Sequence, residues 1–233
     1  MEHESSILYE PFNKYIWRHA FGVDVPDHVL MAGLVFVICL IVFPLATRRL
    51  SRDNPGPLQQ TMELLIVGLR DMMHDIIGHG SERFLGMIAA FTVFIFIANI
   101  FGLFYFLQPP TSNVNTTFAL SISAFLYYNI EGIRRQGVLG YLKHFMGPVL
   151  WLAPLMFIIE MIGNFARILS LGVRLFGNIF GEHTATGIFT GLVPVIAPMP
   201  MMALGIFGAL LQTYVFIMLT TVYIAGAVAA EEH

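Results

Sequence analysis

The sequence predicts an all-α protein that crosses a membrane several times, and three observations carry that expectation. Its 233 residues are 57% hydrophobic and only 12% charged. The mean hydropathy is +0.74, outside the balance of a water-soluble domain. The apolar residues fall in runs of about twenty, the length that spans a hydrocarbon core about 30 Å thick at 1.5 Å per residue. About five transmembrane helices and one amphipathic surface helix are expected, with the last two helices long and paired as a tilted antiparallel hairpin. An N-terminal outside segment (1–27) precedes a single membrane domain (28–233).

The first span is 29–47, which contains no charged residue. The acidic start, with Glu2 and Glu4, and the basic residues Arg48, Arg49 and Arg52 after the run reverse the order of a cleavable signal, so the run is expected to stay as an anchor. Asn54-Pro55-Gly56-Pro57 then breaks the chain, since proline lacks an N–H and clashes with the preceding turn. Over 58–79, Leu58, Met62, Leu65, Leu69, Met72 or Met73, and Ile76 recur at three- and four-residue spacing, while most polar residues fall elsewhere on the wheel. That pattern suits a helix lying along the membrane surface.

The second span is expected at 84–107 and a shorter third at 115–130, joined by the uncharged turn QPPTSN (108–113). From Pro148 onward the chain is almost continuously apolar, with Pro194, Pro198 and Pro200 marking a turn between spans at 148–190 and 201–229. Basic residues gather between spans one and two (Arg48, Arg49, Arg52, Arg70, Arg83) and after span three (Arg134, Arg135, Lys143), which predicts an outside N-terminus and a cytoplasmic C-terminus. The net charge of −3 is scattered, so no nucleic-acid face is expected. Cys39 alone can make neither an internal disulfide nor a metal cluster, and no metal or other cofactor is expected.

Residues 170–184, SLGVRLFGNIFGEHT, concentrate polar side chains in this apolar setting. Advancing 100° per residue from Glu160, Asn164 lies at about 40°, Arg167 at about −20°, Arg174 at about −40°, Asn178 at about 0° and Glu182 at about 40°. The six share an arc of about 80° along about 33 Å of helix. A charge at mid-bilayer costs roughly 2.5–3.5 kcal/mol on insertion scales, so Arg174 needs a partner or water. Glu160 and Arg167 can help one another at i,i+7, but the nearest acid to Arg174 on this helix is Glu182, two turns away. The natural counter-ion of Arg174 therefore lies outside its own stretch of chain. Glycines 163, 172, 177 and 181 accompany the stripe and would let another helix approach. His183 sits about 100° from Glu182. In the last span Gln212 needs a polar neighbour, which the antiparallel Arg174 stripe could supply, whereas the threonines can bond back to their own helix.

These residues closely resemble the subunit a family of the rotary F-type ATP synthases, bacterial type. SLGVRLFGNIFGEH is similar to that family's signature and ALLQTYVFIMLTTVYIAGA (209–227) to its final helix, with IANIFGL (97–103), NVNTTFAL (113–120) and HFMGP (144–148) extending the likeness. The resemblance implies a proton-channel subunit of the Fo sector in the bacterial plasma membrane. Its implied partners are a ring of c-subunits, the b-subunit peripheral stalk, the F1 head indirectly, and lipid. It implies that Arg174 faces the ring carboxylates and blocks proton leak. An outer proton path is then expected past Asn178, Glu182, His183 and Gln212, and an inner one past Glu160, Arg167 and Ser170. Here an acid and a histidine are adjacent, Glu182 and His183. Some bacterial members place a histidine seven residues before the glutamine, where this chain has Gly205.

A secondary transporter for an anionic substrate could also use a mid-membrane arginine, but the duplicated halves and matching broken helices of such proteins are not visible. Glu182-His183 is in the wrong order for H-E-x-x-H, and no G-x-x-x-x-G-K-[ST] loop occurs, so nucleotide would be handled by other subunits.

Overall fold

The computed structural model describes residues 26–47, 51, 55–103, 107–146, 151–192 and 198–228. Among them the chain forms six α-helices and no strand: α1 Asp27–Thr47, α2 Pro57–Ile77, α3 Leu85–Ile100, α4 Val114–Met146, α5 Ala153–Leu192 and α6 Pro198–Val228. The expected outside segment up to residue 25, Arg48, Arg49 and Arg52, Pro194 and the acidic C-terminus lie outside the described residues. Four stretches are long and apolar enough to cross a membrane: Asp27–Leu45, Ser81–Leu103, Ala153–Phe189 and Met199–Val228.

Boundaries follow local chemistry. Pro57 occupies the first turn of α2, where its missing N–H has no intrahelical acceptor to lose, and Gly78 ends the helix at φ 83°. Pro198 and Pro200 likewise fall in the first turn of α6, so this helix starts before the expected 201. Span two covers Ser81–Leu103, with α3 ending at Ile100 and a 3-10 turn over Phe101–Leu103, and residues 104–106 of the expected 84–107 lie outside the described residues. Gly102 there comes so close to Pro109 that a Cβ would lie 3.4 Å from its Cγ, and the chain doubles back. Asn113 accepts the Asn115 N–H at 2.9 Å and starts α4.

The largest departure is α4, which runs 33 residues rather than the 16 of the expected 115–130. Gly137, at φ 75°, kinks it. The part beyond the kink brings Tyr141 against Gly132, where an added Cβ would lie 2.6 Å from the ring and 3.0 Å from the Ala227 carbonyl.

On α2, Leu69 and Met73 are buried as the wheel suggests, but Leu58 is 52% exposed and Gln59 takes an inward place. Gln59 can be buried because its amide is occupied, donating to Ser51 O at 3.1 Å and to Glu63 at 2.7 Å while accepting from Ser51 N.

Both α4 and α6 pack on α5, and α6 also packs on α3 and α4. One core joins Ile88, Ile95, Tyr128, Leu171, Leu175, Phe216 and Ile224 across these helices. Most polar groups inside it are paired, with Asn99 Nδ2 an exception. Thr213, Thr220 and Thr221 donate back to the carbonyls of Ala209, Phe216 and Ile217. Thr111 donates to Asn99 Oδ1 at 2.9 Å across the α3–α4 connection. Glu131, 5% exposed, accepts from Arg83 before α3 and from Arg134 at 2.9 Å. By contrast, α5 has only 17% of its apolar window buried, and exposed side chains run along it from Leu155 to Phe189.

Removing the buried Glu131 carboxylate by Glu131→Ala is expected to destabilise the protein by about 1–3 kcal/mol, because two charge-assisted bonds go with it. Removing Glu82, whose partner Arg70 is as exposed as it is, should cost under about 1 kcal/mol. Melting temperatures of the two variants in the same detergent check the order.

Candidate functional site

The polar stripe of α5 divides among three surroundings. Arg174 stands on the exposed surface of the helix, where Nη2 donates to Ser170 Oγ at 3.3 Å. Among the described residues it has no ion pair. Leu169, Val173 and Phe180 on α5, and Leu210 and Leu211 on α6, are exposed apolar side chains of the same two helices. Asn178 is exposed as well, and Ser170 is half-buried.

Toward the end of α5 the stripe turns against α6. Glu182 is half-buried, and its carboxylate fills space left by two glycines. A Cβ on Gly205 would collide with Glu182 Oε1 and lie 2.8 Å from Leu103 Cδ2, while one on Gly208 would lie 3.1 Å from Glu182 Oε2. Asn178 Nδ2 would be 3.9 Å from that second Cβ. The histidine absent at position 205 thus leaves the room that Glu182 occupies. His183 beside it is half-buried. The same antiparallel register, Glu182 with Gly205 and Asn178 with Gly208, continues to Gln212 opposite Arg174. Gln212 is 5% exposed.

At the other end, Arg167 Nη2 meets Glu160 Oε1 at 3.3 Å, with the two side chains 33% and 40% exposed. The Arg167 guanidinium also lies 5.2 Å from the centre of the Tyr223 ring on α6. Asn164, between them in sequence, does not share their face. It is 5% exposed and turned into α4, accepting from Tyr128 OH at 2.5 Å and donating to Asn129 Oδ1 at 3.3 Å. Tyr141 OH donates to the same Asn129 oxygen at 2.8 Å. The stripe is therefore not one uniformly wet face.

Sequence reasoning missed Tyr128, Asn129 and Tyr141, and gave Tyr223 no role beyond its place in the last span. The signal within reach was Tyr127-Tyr128-Asn129 within the expected span 115–130, where polar atoms need partners. Among the described residues no group of three or more metal-ligating side chains converges.

The pattern of the ATP synthase A chain family matches residues 29–225, which include both ends of the stripe and the glycines facing it. This chain belongs to that family. An ATP synthase subunit a from Geotalea uraniireducens is 41% identical over 201 residues, covering 86% of this chain and 87% of the relative. One from a Nitratiruptor species is 44% identical over 217 residues, covering 91% and 96%. One from Citrifermentans bemidjiense is 39% identical over 216 residues, covering 93% of each. Membership makes the chain a membrane-embedded subunit of the Fo sector, the proton-transporting part of ATP synthase, in keeping with its apolar helices.

Because Gly205 makes room for Glu182, Gly205→Ala in this subunit a is expected to overpack the α5–α6 contact at a cost of about 1–3 kcal/mol. Shortening the acid with Glu182→Asp in the same chain should recover part of that loss. Melting curves of the detergent-solubilised single and double variants check it.

Proposed function

We propose that this chain is the stator proton-channel subunit in which Arg174 meets the carboxylates of a rotating c-ring, with two aqueous half-channels ending on either side of it. The observation that carries the reading is the exposed Arg174 midway along α5, with no ion pair among the described residues, on a helix whose exposed side chains are mostly apolar. A permanent cation on such a face is stable in a bilayer only if another molecule supplies an anion or water reaches it. A guanidinium suits the task because it keeps its charge under burial, where an ammonium tends to give it up, and its planar fork can take a carboxylate with two bonds.

The mechanism follows from charge. A ring carboxylate within about 4–6 Å of the guanidinium is favoured in its ionised form and releases its proton. Once turned toward lipid, the charged form is disfavoured and the site must be protonated. Protons enter from outside past Asn178, Glu182, His183 and Gln212, load the ring site, and leave after nearly a full rotation past Glu160, Arg167 and Ser170. Glu182 is the stronger outer relay of the adjacent pair, supported by the way its carboxylate lies in the glycine-lined slot between α5 and α6. Arg174 stands between the routes and prevents direct passage. Each proton crossing 100 mV supplies about 2.3 kcal/mol, so several together can drive one step of ATP synthesis in the F1 head.

In this reading α4 is a fifth span and α2 lies at the cytoplasmic surface. The N-terminus is outside, the C-terminus is cytoplasmic, the b-subunit stalk holds the subunit still, and the host membrane is the bacterial plasma membrane. The chain takes part in an enzyme without carrying its nucleotide site.

Arg174→Lys and Arg174→Ala are expected to reduce ATP-driven acidification of inverted membrane vesicles to background while complexes still assemble. Arg174→Ala should also let protons leak through vesicles stripped of F1. Fluorescence quenching of a pH dye measures both, and pumping at the normal rate by either variant would overturn the reading.

A further inference from the structure

The side chains that hold α5 against α4 form a closed cluster. Tyr128 OH donates to Asn164 Oδ1, Asn164 Nδ2 to Asn129 Oδ1, Tyr141 OH to the same oxygen, and Asn129 Nδ2 to the Phe125 carbonyl at 2.7 Å. The Tyr128 ring then rests on Tyr223, with centroids 5.9 Å apart, and Tyr223 lies beneath Arg167, which pairs with Glu160. Three helices thus meet around the inner end of the stripe. We propose that this cluster is a positioning device: it fixes the rotation of α5 about its own axis and so holds the Arg167–Glu160 pair toward the inner route. The proposal rests on the inner-route reading given above.

The physical reason is particular to membranes. Apolar side chains gain little by choosing a helix over lipid tails, so apolar contacts alone discriminate weakly among rotations of α5. Hydrogen bonds in a region without water do discriminate, since each group left unpaired is penalised. Side-chain tips sit about 5–6 Å from a helix axis, so turning α5 by about 20° would carry Arg167 and Glu160 about 2 Å around it. A second fixed point lies further along, where Gly172 admits α4 so closely that a Cβ would be 3.1 Å from Ser121 Oγ. Gly172 with Ser121 and Asn164 with Tyr128 follow the same antiparallel register. The close approach sets the separation of the helices there, and the polar cluster sets the azimuth. Gly137 is part of the device, because only the kink in α4 returns Tyr141 to Asn129.

The test uses the intact ATP synthase with Tyr128→Phe, Asn164→Leu, and both together. It measures the amount of assembled complex and the protons pumped per ATP hydrolysed. Each single variant leaves a buried polar atom unpaired and should lower both quantities. The double variant removes the mismatch, so the yield should return, while the pumping ratio stays down by about tenfold or more because the azimuth is no longer specified. A cluster that merely stabilises the fold predicts instead that yield and ratio recover together, and that result overturns the proposal. If these variants fail to assemble, Tyr141→Phe removes one donor and leaves the Tyr128–Asn164 bond; a lowered ratio supports the proposal and an unchanged one overturns it. Arg174→Lys run in parallel separates the two readings. Normal pumping by that variant removes the proposed function itself, whereas its silence together with normal ratios in the cluster variants removes only the positioning role.

Discussion

A cation that cannot lose its charge, placed halfway along a helix clad in apolar side chains, is the constraint around which this molecule is arranged. Lipid offers Arg174 no counter-ion, and the described part of its own chain offers only the Ser170 hydroxyl. Every other strongly polar group that α5 carries toward its neighbours meets something: Glu160 meets Arg167, Asn164 meets α4, and Glu182 fills the glycine slot of α6. Most polar side chains inside the described residues are paired, whereas Arg174 stands on an exposed face without an ion pair among them.

The interior shows how the satisfied part is achieved. Glu131 is buried but takes two arginines, Thr111 and Asn99 close the turn between α3 and α4, and the threonines of α6 return their protons to their own helix. Apolar packing across α3, α4, α5 and α6 then accounts for close contact rather than orientation, because lipid competes for the same surfaces. Orientation falls to the polar clusters, which tie together residues far apart in sequence.

Hydropathy made most of the fold legible, since a run such as 29–47 has few alternatives to spanning or burial. It failed on α4 for a definable reason. Asn129, Glu131, Arg134 and Arg135 lower its apparent suitability for an apolar setting, yet Glu131 is neutralised by partners on two segments, one of them 48 residues away. Gln59 misled in the same way, looking like a solvent-facing residue although backbone groups at Ser51 occupy it. At the site, periodicity placed Glu160, Arg167, Arg174, Asn178 and Glu182 on one arc, because helical angle depends on sequence alone. What it could not supply was the facing helix. Asn164 falls on the same arc but bonds to Tyr128 and Asn129 of α4, and the use of Gly205 was readable only as a missing histidine. Tyr128 and Tyr141 come together through the kink at Gly137, which spacing along a regular helix does not reveal.

The length of α5 has one more consequence. Its exposed apolar side chains extend from Leu155 to Phe189, about 50 Å of helix, against a hydrocarbon layer about 30 Å deep. A belt longer than the layer is accommodated by leaning, or by covering part of it with other polypeptide. A leaning helix offsets its ends sideways as well as in depth, so Glu160 and Glu182, about 33 Å apart along α5, are staggered along the plane of the membrane.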